Sequence, residues 1–104
     1  MKSFGELINS DQPLLVDFYA DWCGPCKAME PTVKEVARLV EGKARIIKIN
    51  IDANQQVAQT FGVSAVPTFI LFKKGEILWR HPGMIDKTQL KETIERYTEP
   101  QNTH

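Results

Sequence analysis

Cysteine is scarce in this sequence: Cys23 and Cys26 are the only two. A small secreted domain held together by disulfides normally carries several well-separated pairs. The loop between these two is so short that closing it constrains the unfolded chain little, so the value of the pair is chemical rather than structural. Net charge is also absent, because thirteen basic side chains balance thirteen acidic ones. That balance removes any general electrostatic case for nucleic acid or an anionic membrane as partner. No apolar run approaches the roughly 18 residues that suggest a membrane span. The opening Met1-Lys2-Ser3-Phe4-Gly5-Glu6 lacks the apolar stretch of a signal peptide and places an acid early, which makes the cytoplasm the expected location. Histidine is nearly missing as well. A zinc site would need ligands beyond the two cysteines, and only His81 and His104 exist, far apart in sequence, so no metal is expected. There is no internal repeat and no linker. A length of 104 residues suits one domain, expected over 1–98, with 99–104 expected to be a disordered tail.

What is present is concentrated at Trp22-Cys23-Gly24-Pro25-Cys26. The apolar run Leu14 to Tyr19 before it reads as a buried strand. The segment after it carries Met29, Val33, Val36, Ala37 and Val40 at helical spacing, so the two cysteines sit where a strand ends and a helix begins. The first turn of a helix has unpaired N–H groups and the positive end of the dipole. A sulfur there is stabilised as thiolate, the form that attacks disulfides. Residues three apart in a first turn share a face and can close a disulfide. Pro25 suits a position whose N–H has no intrahelical partner, and Gly24 keeps bulk away from the sulfurs. These residues form a redox site.

The remaining elements follow from caps, periods and turns. Ser3 and Glu6 form a capping box for a helix from about Phe4 to Asn9. The second helix runs from near Cys23 to about Val40, with Pro31 inside it as an expected kink and Gly42 as terminator. Arg45 to Ile51 is a β-branched strand, and strand–helix–strand implies a parallel pair. Asn54 to Phe61 reads as a short helix and Thr68 to Phe72 as a third strand. Lys73-Lys74-Gly75-Glu76 is a tight turn into an antiparallel fourth strand, Ile77 to Arg80. Asp86 and Gln89 cap a last helix carrying Leu90, Ile94 and Tyr97. The fold class is α/β: a four-stranded mixed sheet flanked by helices on both faces, with its site at the carboxyl end of the first strand.

The segment Asp17-Phe18-Tyr19-Ala20-Asp21-Trp22-Cys23-Gly24-Pro25-Cys26-Lys27 resembles the active-site segment of the thioredoxin family. The resemblance continues through Pro31, Lys48-Ile49-Asn50-Ile51-Asp52, Val66-Pro67-Thr68, Phe72-Lys73-Lys74-Gly75 and Gly83. A bare CxxC is a weak signal; the pentapeptide with a Val-Pro-Thr downstream is far more specific. The resemblance implies a thioredoxin-like fold and a protein-disulfide reductase. In such an enzyme Cys23 attacks, Cys26, one turn further in and more buried, resolves, and no cofactor is bound. Electrons come from a separate thioredoxin reductase, NADPH-dependent by the same resemblance, and the substrates are disulfide-containing proteins. The expected state is a monomer. One departure is the absence of the strand that thioredoxins commonly place before the first helix. It makes Arg45–Ile51 an expected edge strand, blunted by Arg45 and Lys48, open to pairing with another protomer and lower in stability.

Asp17 interrupts an apolar strand, and a lone buried carboxylate rises in pKa. The resemblance gives it a role as proton acceptor behind Cys26 and places Lys48 near it; the plainer reading is a structural Asp17–Lys48 pair or a solvent-facing Lys48. The resemblance also makes the Val66–Pro67 bond cis, although X–Pro bonds are mostly trans. A cis turn presents the Val66 backbone to an extended substrate, and Trp22, Gly24, Pro25, Val66, Pro67, Gly83 and Met84 form the docking surface. Trp22 could instead pack partly into the core. Pro82 before Gly83 departs from the family pattern at the rim of that surface. Two other functions compete. An oxidase or isomerase would usually carry a histidine between the cysteines, where this chain has Gly24-Pro25; a binding subunit would not need its thiols.

Overall fold

A computed structural model describes residues 3–98; the expected tail at 99–104 and Met1 and Lys2 lie outside them. Eight elements follow one another: α1 (Phe4–Ile8), β1 (Leu14–Tyr19), α2 (Gly24–Leu39), β2 (Arg45–Asn50), α3 (Gln55–Thr60), β3 (Thr68–Lys73), β4 (Glu76–Pro82) and α4 (Lys87–Thr98). The strands form one sheet in the order β2-β1-β3-β4. β1 pairs parallel with β2 and antiparallel with β3, and β4 is antiparallel to β3. This is the mixed sheet expected from the sequence, and β2 is an edge strand among the described residues.

Side-chain alternation along the central strands divides the core into two layers. Leu15, Phe69 and Leu71 pack with Met29, Val33 and Val36 of α2 and with Leu90 and Ile94 of α4. The intervening residues Leu14, Val16, Phe18, Ile70 and Phe72 pack on the other face, with Phe4 and Ile8 of α1, Val57 of α3 and Phe61 at the C-terminus of α3. Both faces of β1 and β3 are covered, which explains why these strands read as nearly continuous apolar runs.

Local chemistry sets the ends of the elements. The Ser3–Glu6 capping box is present at α1. The Asp86 carboxylate accepts from the backbone N–H groups of Thr88 and Gln89, opening α4. The β3–β4 turn places Lys74 at φ 53° and Gly75 at φ 81°, two successive left-handed residues of the kind a two-residue hairpin turn needs. The fourth strand is longer than the expected Ile77–Arg80, extending to Pro82. An edge position tolerates a residue without an N–H, and the extension matters because it carries the chain to the site.

Candidate functional site

The parallel strand β1 delivers Ala20 to a turn, closed by the Cys23 N–H donating to the Ala20 carbonyl at 3.2 Å. Cys23 is then the N-cap of α2, with extended backbone, and its sulfur accepts from the Cys26 N–H at 3.1 Å. The helix N-terminus therefore donates directly to the Cys23 sulfur, the interaction that favours a thiolate there. Cys23 and Cys26 are joined as a disulfide with Cα atoms 5.3 Å apart. Pro25 lies in the first turn, as its missing N–H allows. A Cβ on Gly24 would meet nothing within 4 Å, so the surface beside Gly24 is open.

One expectation about the cysteines is corrected. Cys26 was expected to be the more buried, yet Cys23 is 3% exposed and Cys26 6%. The reason lies across the sheet end. The Val66–Pro67 peptide is cis, as expected, and its loop closes over the site. Val66 packs against Ala20, Cys23 and Cys26, and its carbonyl oxygen lies 3.6 Å from the Cys23 sulfur. Burial alone does not separate the two thiols; their positions relative to the helix do.

Asp17 occupies the face of β1 that carries Leu15 and meets α2. It is 3% exposed, and its Oδ1 has no hydrogen-bond partner. Burial raises its pKa to about 6, the Lys48 charge lowers it in part, and Glu30 on α2 adds to the rise. Lys48 is aligned with Asp17 across the β1–β2 pair. The structural Asp17–Lys48 pair considered from the sequence is not found: no ion pair joins them among the described residues. Lys48 is exposed and holds its ammonium 4.4 Å from the Tyr19 ring centroid, so it acts on Asp17 as a nearby charge.

Trp22 is 69% exposed and does not pack into the core. Its indole N–H donates to Asp52 Oδ2 at 2.8 Å. Asn50 supports that carboxylate's loop: its Oδ1 accepts from the N–H groups of Asp52 and Ala53, and its amide reaches Asp21. Asp52 and Asn50 were legible only as members of a motif; nothing local in the sequence pointed to Trp22 as their partner. On the other rim, Gly83 adopts φ 90° and donates its N–H to the Pro67 carbonyl at 2.7 Å. Met84 beside it is 53% exposed. Trp22, Gly24, Pro25 and Met84 are thus exposed, Val66 and Gly83 half-buried and Pro67 buried. Among the described residues there is no cluster of three or more side chains able to hold a metal ion, and no helix is long and apolar enough to cross a membrane.

Comparison with known proteins agrees with this geometry. The family model described as Thioredoxin matches residues 1–96. The chain is 44% identical over 92 residues to thioredoxin 1 of Nostoc sp., covering 88% of this chain and 86% of that relative. It is 43% identical over 91 residues to a thioredoxin of Haemophilus influenzae, covering 88% and 85%. Among solved structures, a mutant thioredoxin from Halobacterium salinarum superposes with a TM-score of 0.84 at 42% identity, over 98% of this chain and 91% of that one. Oxidised mitochondrial thioredoxin 3 from Saccharomyces cerevisiae gives 0.80 at 34% identity, over 89% and 86%.

Proposed function

The chain belongs to the thioredoxin family, whose members exchange dithiols for disulfides without a bound cofactor, and from that premise we propose how its residues divide the reaction. Thioredoxin-family proteins act with thioredoxin reductase and disulfide substrates. In our reading this chain is a cytoplasmic monomer that receives two electrons from such a reductase, with NADPH as their source. It passes them to disulfides in other proteins. The observation that carries the reading is the Cys23–Cys26 disulfide at the N-terminus of α2, under the Val66 carbonyl.

In the reduced protein the Cys23 thiolate attacks one sulfur of the substrate disulfide. A Cys23–substrate disulfide forms, and the other substrate sulfur leaves as a thiolate that takes a proton. Cys26 then attacks the Cys23 sulfur, releasing the second substrate thiol and closing the Cys23–Cys26 disulfide. Cys26 must lose its proton to do so. Asp17, with a pKa of about 6, is mostly ionised at neutral pH and lies on the face of β1 that meets α2, the helix that carries Cys26, so it is our candidate acceptor. Lys48 tunes Asp17 by its charge. The substrate backbone pairs with Val66 as an added strand, with Pro67 contributing no competing donor. Trp22, Gly24, Pro25, Gly83 and Met84 supply the surrounding contact surface.

The test is the equilibrium reduction potential of the pair, followed by Trp22 fluorescence in a dithiol buffer. A value near about −270 mV is expected, and one above about −200 mV would transfer the protein to oxidase or isomerase chemistry. Trapping separates the two cysteines. Cys26→Ser should accumulate a mixed disulfide with a protein substrate, and Cys23→Ser should accumulate none; the reverse would exchange their roles.

A further inference from the structure

β4 ends next to the cis-proline loop, with Pro82 paired to Thr68 and His81 to Phe69. The four residues 81–84 then fold back on themselves and are held at two points. The Gly83 N–H is fixed to the Pro67 carbonyl at 2.7 Å. The Met84 carbonyl lies 3.1 Å from His81 Nε2. A carbonyl oxygen only accepts, so in this contact His81 Nε2 carries the hydrogen and donates it. The ring also stacks on Trp79, with centroids 5.7 Å apart and planes within 11°, a contact that favours this orientation. Trp79 in turn packs against the core layer of α2 and α4. The ring lines an open cleft of about 250 Å³ between β4 and α4 together with Trp79, Ile85, Gln89 and Arg96, and Ile85, the residue after Met84, packs against the same core layer. Pro82, between the anchors, restricts φ and has no N–H to form an alternative bond.

We infer that His81 is a positioning residue: through Nε2 it holds the Met84 carbonyl, and with it the exposed Met84 side chain, in the conformation that receives a protein substrate. Without the bond, Met84 and its backbone must be ordered at each encounter, and that ordering is a cost taken from affinity. The inference rests on the proposed docking role of the Gly83–Met84 rim. It adds a residue that touches neither substrate nor sulfur.

The experiment uses the full chain with insulin as disulfide substrate and dithiothreitol as electron donor, so that docking of a reductase does not enter. His81→Ala should raise KM for insulin by about two- to tenfold, the affinity equivalent of one neutral hydrogen bond, with kcat unchanged. His81→Gln, whose side-chain amide can donate to the same carbonyl, should restore most of the loss. An unchanged KM in His81→Ala, an equal loss in kcat, or a Gln variant no better than Ala would each overturn the inference. Should the Ala variant fail to fold, His81→Phe decides, because it keeps a ring on Trp79 but cannot donate: a raised KM supports positioning and a wild-type KM refutes it. Met84→Ala separates the two readings. If it raises KM and His81→Ala does not, only the positioning role falls; if Met84→Ala leaves KM unchanged, the rim reading fails and the His81 inference falls with it.

Discussion

The two faces of the sheet are made from the same strands and do different work. On the α1/α3 face, β1 and β3 present Leu14, Val16, Phe18, Ile70 and Phe72, and the layer is apolar up to its aromatic rim. Phe4, Phe61 and Phe72 meet there edge-on or tilted, with ring centroids 5.1 to 5.8 Å apart. On the α2/α4 face the alternate residues begin in the same way, with Leu15, Phe69 and Leu71. Two residues along β1 that layer is broken by Asp17, whose Oδ1 is buried without a partner. One face therefore stabilises. The other accepts a buried carboxylate at the end nearest the disulfide, at a cost in stability, and it is the face on which our proposed proton acceptor lies.

The contrast can be broken most forcefully from the stabilising side. Phe72→Ala removes a fully buried ring from the aromatic layer and should destabilise the fold by about 3–5 kcal/mol, read by urea unfolding. The reduction potential of the folded protein should stay at the wild-type value. A large shift in potential would show that the two faces are not separable.

Asp17→Asn tests the other face, and its effect has a sign set by pH. The folded pKa of about 6 lies above the ordinary aspartate value of 3.8, so the native state binds the proton more tightly than the unfolded chain. The penalty is absent below about pH 4, grows as pH rises to about 6, and is complete above it. Asp17→Asn should therefore stabilise the protein by up to about 3 kcal/mol at pH 8 and by little at pH 4. It should also slow insulin reduction at neutral pH. Equal stabilisation at both pH values would mean that Asp17 titrates normally.

Ser3→Ala is the mildest comparison. It removes the side chain that caps α1 on the stabilising face, at an exposed site, and should cost about 1 kcal/mol with turnover unchanged. Altered turnover there would extend the functional region beyond the α2 face.

Much of this division was legible in the residues themselves. The Ser3–Glu6 box and the Asp86 cap signal their helices through side chain–backbone contacts spanning two or three residues, the Lys74-Gly75 turn through backbone conformation, and all were found where expected. Asp17 was visible as the one charge in an apolar strand. Less accessible was what meets what. The fourth strand was expected to end at Arg80, but it runs to Pro82, whose missing N–H is tolerated at the sheet edge. Lys48 was open to pairing with Asp17, yet its ammonium lies over Tyr19, two residues along the same face. His81 carried no local signal beyond being one of two histidines.

The sequence by itself determined the order of the elements, the layering of the core and the placement of a redox pair at a strand–helix junction. Those features depend on hydrophobic period, capping and turn chemistry, which act between near neighbours along the chain. Only the tertiary structure decided the surroundings of that pair. Cys23 lies under a carbonyl 43 residues away, and Trp22 is held by a carboxylate 30 residues away. The sheet order brings β1, β3 and the end of β4 together, and burial then acts on whatever side chains arrive there. The same carboxylate that would be an ordinary acid on the surface has, on that face, its pKa raised to about 6 by burial.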